Sequence, residues 1–130
     1  MLKKTFTYEN YNGVKVTEDK YFNLSESEIM EMEMSTNGGF ASMINGIVAA
    51  QDAPAIIKIF KELILKSYGE KSPDGKRFIK SEELSVAFSQ TEAYNQLFME
   101  LATDAEAAAE FVNGIMPKPI SDQKVPSLTN

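Results

Sequence analysis

The sequence predicts a mainly α fold of α+β type. It reads as a compact multi-helix domain with a small N-terminal β-hairpin and a disordered C-terminal tail. Three observations predict this. β-Branched and aromatic residues gather before residue 24 and flank an Asn-Gly pair. Helix-capping residues recur from Ser25 to Thr103, each ahead of apolar residues at helical spacing. Three of the five prolines lie in the last 14 residues, where the apolar residues become isolated. The expected domain covers 1–117, with the hairpin in 1–24 and the helical body in 25–116. Residues 118–130 are expected to form a flexible tail.

The hairpin strands are Thr5-Phe6-Thr7-Tyr8 and Val14-Lys15-Val16-Thr17, around Tyr11-Asn12-Gly13. Asn-Gly tolerates the positive φ of tight hairpin turns. Lys20-Tyr21-Phe22-Asn23-Leu24 reads as a further extended piece. An isolated hairpin is marginal in water, so it must pack on the helices.

The first helix opens with the capping box Ser25-Glu26-Ser27-Glu28, with Leu24 and Ile29 at the hydrophobic-staple positions. It runs through Met30, Met32 and Met34 and stops at Thr36-Asn37-Gly38-Gly39. A second helix spans 40–50, with Met43, Ile44, Ile47 and Val48 on one face. The third runs from Ala53 to Tyr68, with Asp52 as N-cap, Pro54 in the first turn and Gly69 as C-cap. Its expected buried stripe is Ile56, Ile57, Phe60, Leu63, Ile64 and Tyr68, with Lys58, Lys61, Glu62 and Lys66 outward. Ser72-Pro73-Asp74-Gly75 reads as a turn. Ser81 caps a helix facing inward through Leu84, Ala87 and Phe88, and Thr91 caps one with Tyr94, Leu97, Phe98 and Leu101. Thr103-Asp104-Ala105-Glu106 reads as a second capping box. The helix it opens carries Phe111, Val112 and Ile115 and is expected to end at Asn113-Gly114 and Pro117.

The chain contains no His, Cys or Trp. Without Cys there is no disulfide, thiolate nucleophile or zinc-thiolate site. Without His the commonest general base and transition-metal ligand is missing. Composition therefore argues against an enzyme, and no cofactor or metal is expected. The net charge of −6 argues against duplex nucleic acid or an anionic membrane as partner. Met1-Leu2-Lys3-Lys4 is followed by no apolar signal-peptide core, and 53–65 is too short and charged to span a bilayer. The expected compartment is the cytoplasm.

Several patterns resemble chemistry and read as structure. In 70–81, placing Gly75 at position 6 of a calcium loop puts Ser81 where a bidentate Glu is needed. Lys71, Lys76, Arg77 and Lys80 add positive charge beside the supposed site. The carboxylate pairs Glu26/Glu28, Glu31/Glu33 and Glu82/Glu83 lie on helix turns, and helix dipoles explain those in first turns. Gly38-Gly39 has no companion Lys-Ser/Thr for a phosphate cradle.

Two patterns remain as candidate surfaces. Met30, Met32, Met34 and Met43 form a Met-rich region suited to an adaptable apolar partner surface. The three of the first helix cannot all face one side. The second pattern is the order of charges. Residues 25–52 carry net −5, 53–80 net +4 and 81–116 net −7. Such alternation fits head-to-tail self-association, with basic Lys58, Lys61, Lys66, Lys76 and Arg77 meeting acidic Glu82, Glu83, Glu100 and Glu106 of another copy.

Glu31-Met32-Glu33-Met34-Ser35-Thr36, Ala49-Ala50-Gln51-Asp52 and Ile57-Lys58-Ile59-Phe60-Lys61 carry a family resemblance. It continues through Leu65-Lys66-Ser67-Tyr68-Gly69-Glu70-Lys71-Ser72-Pro73-Asp74-Gly75, Phe78-Ile79-Lys80 and the segment from Gln90 to Asp104. From about residue 20 to Pro117 the chain resembles the tail assembly chaperones of long-tailed, siphovirus-type bacteriophages and prophages of Gram-positive hosts. The resemblance implies a non-enzymatic protein of the infected cell's cytoplasm that coats the tape measure protein and keeps it soluble. It implies help to tail tube protein polymerising around that partner, self-association as rings or spirals, and absence from the mature virion. A frameshift-extended longer form is common in such families. The alternative is a small structural morphogenesis protein, a head–tail connector or tail completion component, which stays in the virion.

Overall fold

The computed structural model describes residues 1–117; the expected tail at 118–130 lies outside the described residues. The described elements are β1 (Leu2–Glu9), β2 (Lys15–Phe22), α1 (Glu26–Ser35), α2 (Phe40–Ala49) and α3 (Ala53–Ser67). They continue with β3 (Tyr68–Lys71), β4 (Phe78–Ile79), α4 (Glu82–Ser89), α5 (Glu92–Thr103) and α6 (Ala105–Ile115). The predicted mainly helical α+β class is what the chain forms.

β1 and β2 pair antiparallel from Leu2 opposite Phe22 to Glu9 opposite Lys15. Their alternation divides the hairpin into two faces. Phe6 and Phe22 are buried against the helices, while Thr5 and Thr7 on the solvent face bond Asp19 and Thr17 across the ladder. Residues 20–22 of the expected extended piece are the end of β2 rather than a separate segment, because the ladder runs unbroken to Phe22, and Asn23 and Leu24 follow it. Five residues join the strands, not a two-residue turn. Asn10 Oδ1 accepts from the amides of Asn12 and Val14, and only Gly13 takes a positive φ, +77°.

The hairpin is half of a four-stranded antiparallel sheet ordered β1-β2-β3-β4. Tyr21 pairs with Gly69, and Glu70 with Ile79. Gly69 is therefore a strand residue and not a helix cap. Tyr68 caps α3 in extended conformation. A Cβ at Gly69 would lie 2.7 Å from the Ile79 carbonyl oxygen, so close strand packing is what requires glycine.

The core joins sheet to helices through aromatic rings. Phe22 packs edge-on to Phe88 and Phe111 at centroid distances of 5.7 and 5.5 Å. Tyr68 stacks on Phe88 at 4.3 Å. Leu63, Ile64, Leu97, Leu101 and Ile115 fill the space around them. Backbone bonds from Asn23 N–H to Ser67 and from Leu24 N–H to Ile115 tie the hairpin's exit to the ends of α3 and α6.

Four details of the helices differ from expectation. Ala87, expected on the inward face of α4, is exposed, and only Phe88 of that helix is fully buried. Ile57 is exposed rather than part of the buried stripe, because only the C-terminal half of α3 reaches the core. Asp104, not Thr103, caps α6, accepting from the amides of Glu106 and Ala107. The Thr103 hydroxyl instead donates back to the Met99 carbonyl inside α5. Asn113-Gly114 does not end α6, which continues to Ile115. Leu2 packs against Gly114 where a side chain would otherwise stand.

Candidate partner-binding groove

α1 contains no fully buried residue. Its position is set by polar anchors and two half-buried side chains. The capping box forms as predicted: Glu28 N–H donates to Ser25 Oγ at 3.2 Å, and Ser25 N–H to Glu28 Oε1 at 2.8 Å. Lys80 reaches the same carboxylate at 2.6 and 2.8 Å. Ile29 and Met32 rest against the core. Met30 and Met34, one turn apart, project outward at 52% and 77% exposure. The Met-rich region thus divides: Met30 and Met34 face solvent, while Met32 faces inward. Met43 is half-buried on α2.

Two left-handed connections hold α2. Gly38 and Gly39 take φ of +82° and +94° before it, and Gln51 takes +56° after it. A side chain other than glycine in that region carries strain of about 1–3 kcal/mol. Glu33 Oε1 accepts the Phe40 N–H at 3.0 Å, satisfying one orphan donor at the start of α2. The carboxylate pairs noted in sequence therefore include two working caps, Glu28 and Glu33. Sequence spacing gave no sign of the second, which acts across the Gly-Gly link.

Between α1–α2 and α3 lies an open groove of about 640 Å³. Met32, Phe40, Leu63 and Leu65 supply apolar wall; Lys58, Lys61 and Lys66 stand along it with Glu62. α3 places the three lysines there because positions 58, 61, 62, 65 and 66 recur along one helix face. The fold thus brings three of the predicted basic residues onto the same groove as one predicted methionine, Met32. Leu65 and Phe40 were missed as site residues; Leu65 between Lys61 and Lys66 was the local signal available.

The other predicted residues lie apart from this groove. Lys76 and Arg77 are exposed in the β3–β4 turn. That turn closes on itself: Ser72 Oγ donates to Asp74 Oδ1 at 2.7 Å and accepts the Arg77 N–H at 3.0 Å. The Ser72 hydroxyl and the Lys76 amide hold the Asp74 carboxyl below its ordinary range. Glu82 and Glu83 are exposed in the first turn of α4, where the dipole favours acids. Glu100 is engaged internally, 3.0 Å from Lys4. Glu106 is exposed in the first turn of α6, one turn from exposed Glu110.

The ion pairs among the described residues are Lys4–Glu100, Lys20–Glu18 and Lys80–Glu28. Lys58, Lys61 and Lys66 make none there. Among the described residues no group of three or more acidic side chains converges as a metal site would require. No described helix is long and apolar enough to cross a membrane. The arrangement offers a lysine-bordered apolar surface suited to holding a chain segment.

Comparison with curated proteins and with solved structures gives no match. The family model described as phage tail assembly chaperone matches residues 1–126, and by that match the chain belongs to the phage tail assembly chaperone family.

Proposed function

We propose that this chain is a non-enzymatic chaperone that binds the tape measure protein, keeps it soluble and promotes tail tube polymerisation around it. The observation that carries the reading is the surface around α1. Met30 and Met34 are exposed on the outer face of a helix with no fully buried residue, whose opposite face, bearing Met32, lines an apolar groove. Methionine adapts to irregular apolar partners, which suits a chaperone for a long helical protein. The resemblance to proteins of siphovirus-type phages of Gram-positive hosts supplies the choice of partner. The protein acts in the host cytoplasm during assembly, as a self-associated ring or spiral, and is absent from the finished virion.

Co-expression with the tape measure protein of the same phage tests this. That protein is expected in the soluble fraction with the chaperone and in the pellet without it. Met30→Ser together with Met34→Ser should return it to the pellet while leaving this chain folded. A soluble tape measure protein without its companion would sink the proposal. Stoichiometric copies of this chain in purified virions would favour the connector or completion-protein reading instead.

A further inference from the structure

We infer that the lysine-bordered groove between α1–α2 and α3 receives the outer face of α6 from a second copy of this chain. The inference rests on the self-association in the proposed function and names its contact. The groove's lysines, Lys58, Lys61 and Lys66, make no ion pair among the described residues. Residues 81–116 carry seven acids and no base, so the same chain holds the complementary charge. Of the acidic residues there, Glu100 is engaged by Lys4, while Glu106 and Glu110 are exposed.

Shape and spacing agree with charge. Glu106 and Glu110 are one helical turn apart on α6, and Ala105 and Ala109 beside them are also exposed. Small side chains let a helix approach closely, so the alanines can lie on the apolar wall of Met32, Phe40 and Leu65. Lys58 and Lys66 are roughly two turns, about 12 Å, apart along α3 with Lys61 between them. Two glutamates about 6 Å apart therefore fit between successive lysines. α6 packs on α5 and β1 within its own copy, so its outer face and the groove are different surfaces. Contact between different surfaces is heterologous, and it propagates as a ring or an open helix rather than stopping at a two-fold dimer. Because the charges are exposed, the contact weakens as salt is added.

Two charge-reversal variants of the full chain test the contact. Lys61→Glu with Lys66→Glu makes the groove acidic and leaves α6 acidic. Glu106→Lys with Glu110→Lys makes α6 basic and leaves the groove basic. In sedimentation velocity at about 0.05 M salt, the wild type should associate with increasing concentration. Each variant alone should associate about tenfold or more weakly. Their equimolar mixture should regain association, because each then offers the other an opposite charge at both surfaces. Circular dichroism of each variant confirms the fold. A monomeric wild type, undiminished association of either variant, or no recovery on mixing overturns the inference. Tape measure solubility separates the two proposals. Association unchanged in the groove variant with loss of tape measure solubility would assign the groove to that partner. A tape measure protein that stays insoluble with the wild type would sink the chaperone reading, whatever sedimentation shows.

Discussion

Glu28 and Lys80 stand 52 positions apart in sequence and meet at 2.6 Å. The carboxylate also accepts the Ser25 N–H, so one side chain closes the capping box and pins α1 to the end of β4. Burial opposes its charge, but the Lys80 ammonium and the Ser25 donor outweigh burial and lower its pKa below 4.5. A depressed folded-state pKa stabilises the fold above the unfolded value; that contribution is lost as pH falls through the folded value. Glu28→Gln keeps a cap acceptor and removes the charge. It should cost ~1 kcal/mol at neutral pH and far less once the pH is low enough to protonate Glu28 in the folded state. Urea unfolding at both pH values measures the difference, and an equal loss at both would refute the charge argument. The sign reverses for Tyr8, whose hydroxyl donates to Glu18 at 2.6 Å and is held up to about 12. A raised folded-state pKa stabilises below the unfolded value of 10.0 and loses that contribution as pH rises through about 12. Tyr68, raised to about 12 by burial, behaves alike. An ultraviolet pH titration should show Tyr8 and Tyr68 among the late-ionising tyrosines, with Tyr11 and Tyr94 also raised by burial, and Tyr8→Phe should remove one of the two near 12.

At the scale of elements, two glycines make opposite predictions. Gly69 in β3 faces the Ile79 carbonyl of its neighbouring strand, which cannot yield without breaking the pairing. Gly69→Ala should cost roughly 1–3 kcal/mol. Gly46 in α2 has open space around the site of a new Cβ, and Gly46→Ala should stabilise by up to about 1 kcal/mol. Thermal unfolding of the pair checks both signs. The contrast also explains what was legible in the sequence. Helix starts at Ser25, Asp52, Ser81 and Thr91 were readable because the capping side chain bonds the amide three residues on. Helix ends were not, because distant partners decide them. Gly69 joins a strand through Tyr21, and Gly114 stays helical beneath Leu2. β3 and β4 are too short to show alternation, and only their pairing makes them strands. Thr103 and Asp104 are both good caps, so the one-residue displacement at α6 was a choice between near equals. In the candidate site, the outward direction of Lys58, Lys61 and Lys66 followed from periodicity. Their meeting with Met32 and Phe40 did not, because it depends on how α1 and α2 fold back over α3.

Across the whole molecule, burial is distributed unevenly. β1, β2, β3, the C-terminal half of α3 and α4–α6 supply the buried apolar core, whereas α1 supplies none of it. α2 joins its neighbours through the left-handed residues Gly38, Gly39 and Gln51, and its main contacts among the described residues are with α1 and α3. Local opening free energy follows buried contacts, so α1 and α2 should open without unfolding the rest. Hydrogen exchange should show their amides protected about 100-fold less than those of α5 and α6. Equal protection throughout would mean that the chain unfolds as one cooperative unit. The gradient matters to function because the groove lies on the boundary between the two parts. One of its walls comes from the weakly held α1–α2 segment, and the other from α3, whose C-terminal half is fixed in the core. A groove with one yielding wall can adjust to its occupant, but ordering that wall on binding reduces affinity. Occupancy should therefore slow exchange in α1 and α2 more than in α5. The test is exchange by the wild type at low and high salt, which the inferred contact predicts to favour association and dissociation respectively. Slowing confined to α6, with α1 and α2 unchanged, would place the contact away from the groove.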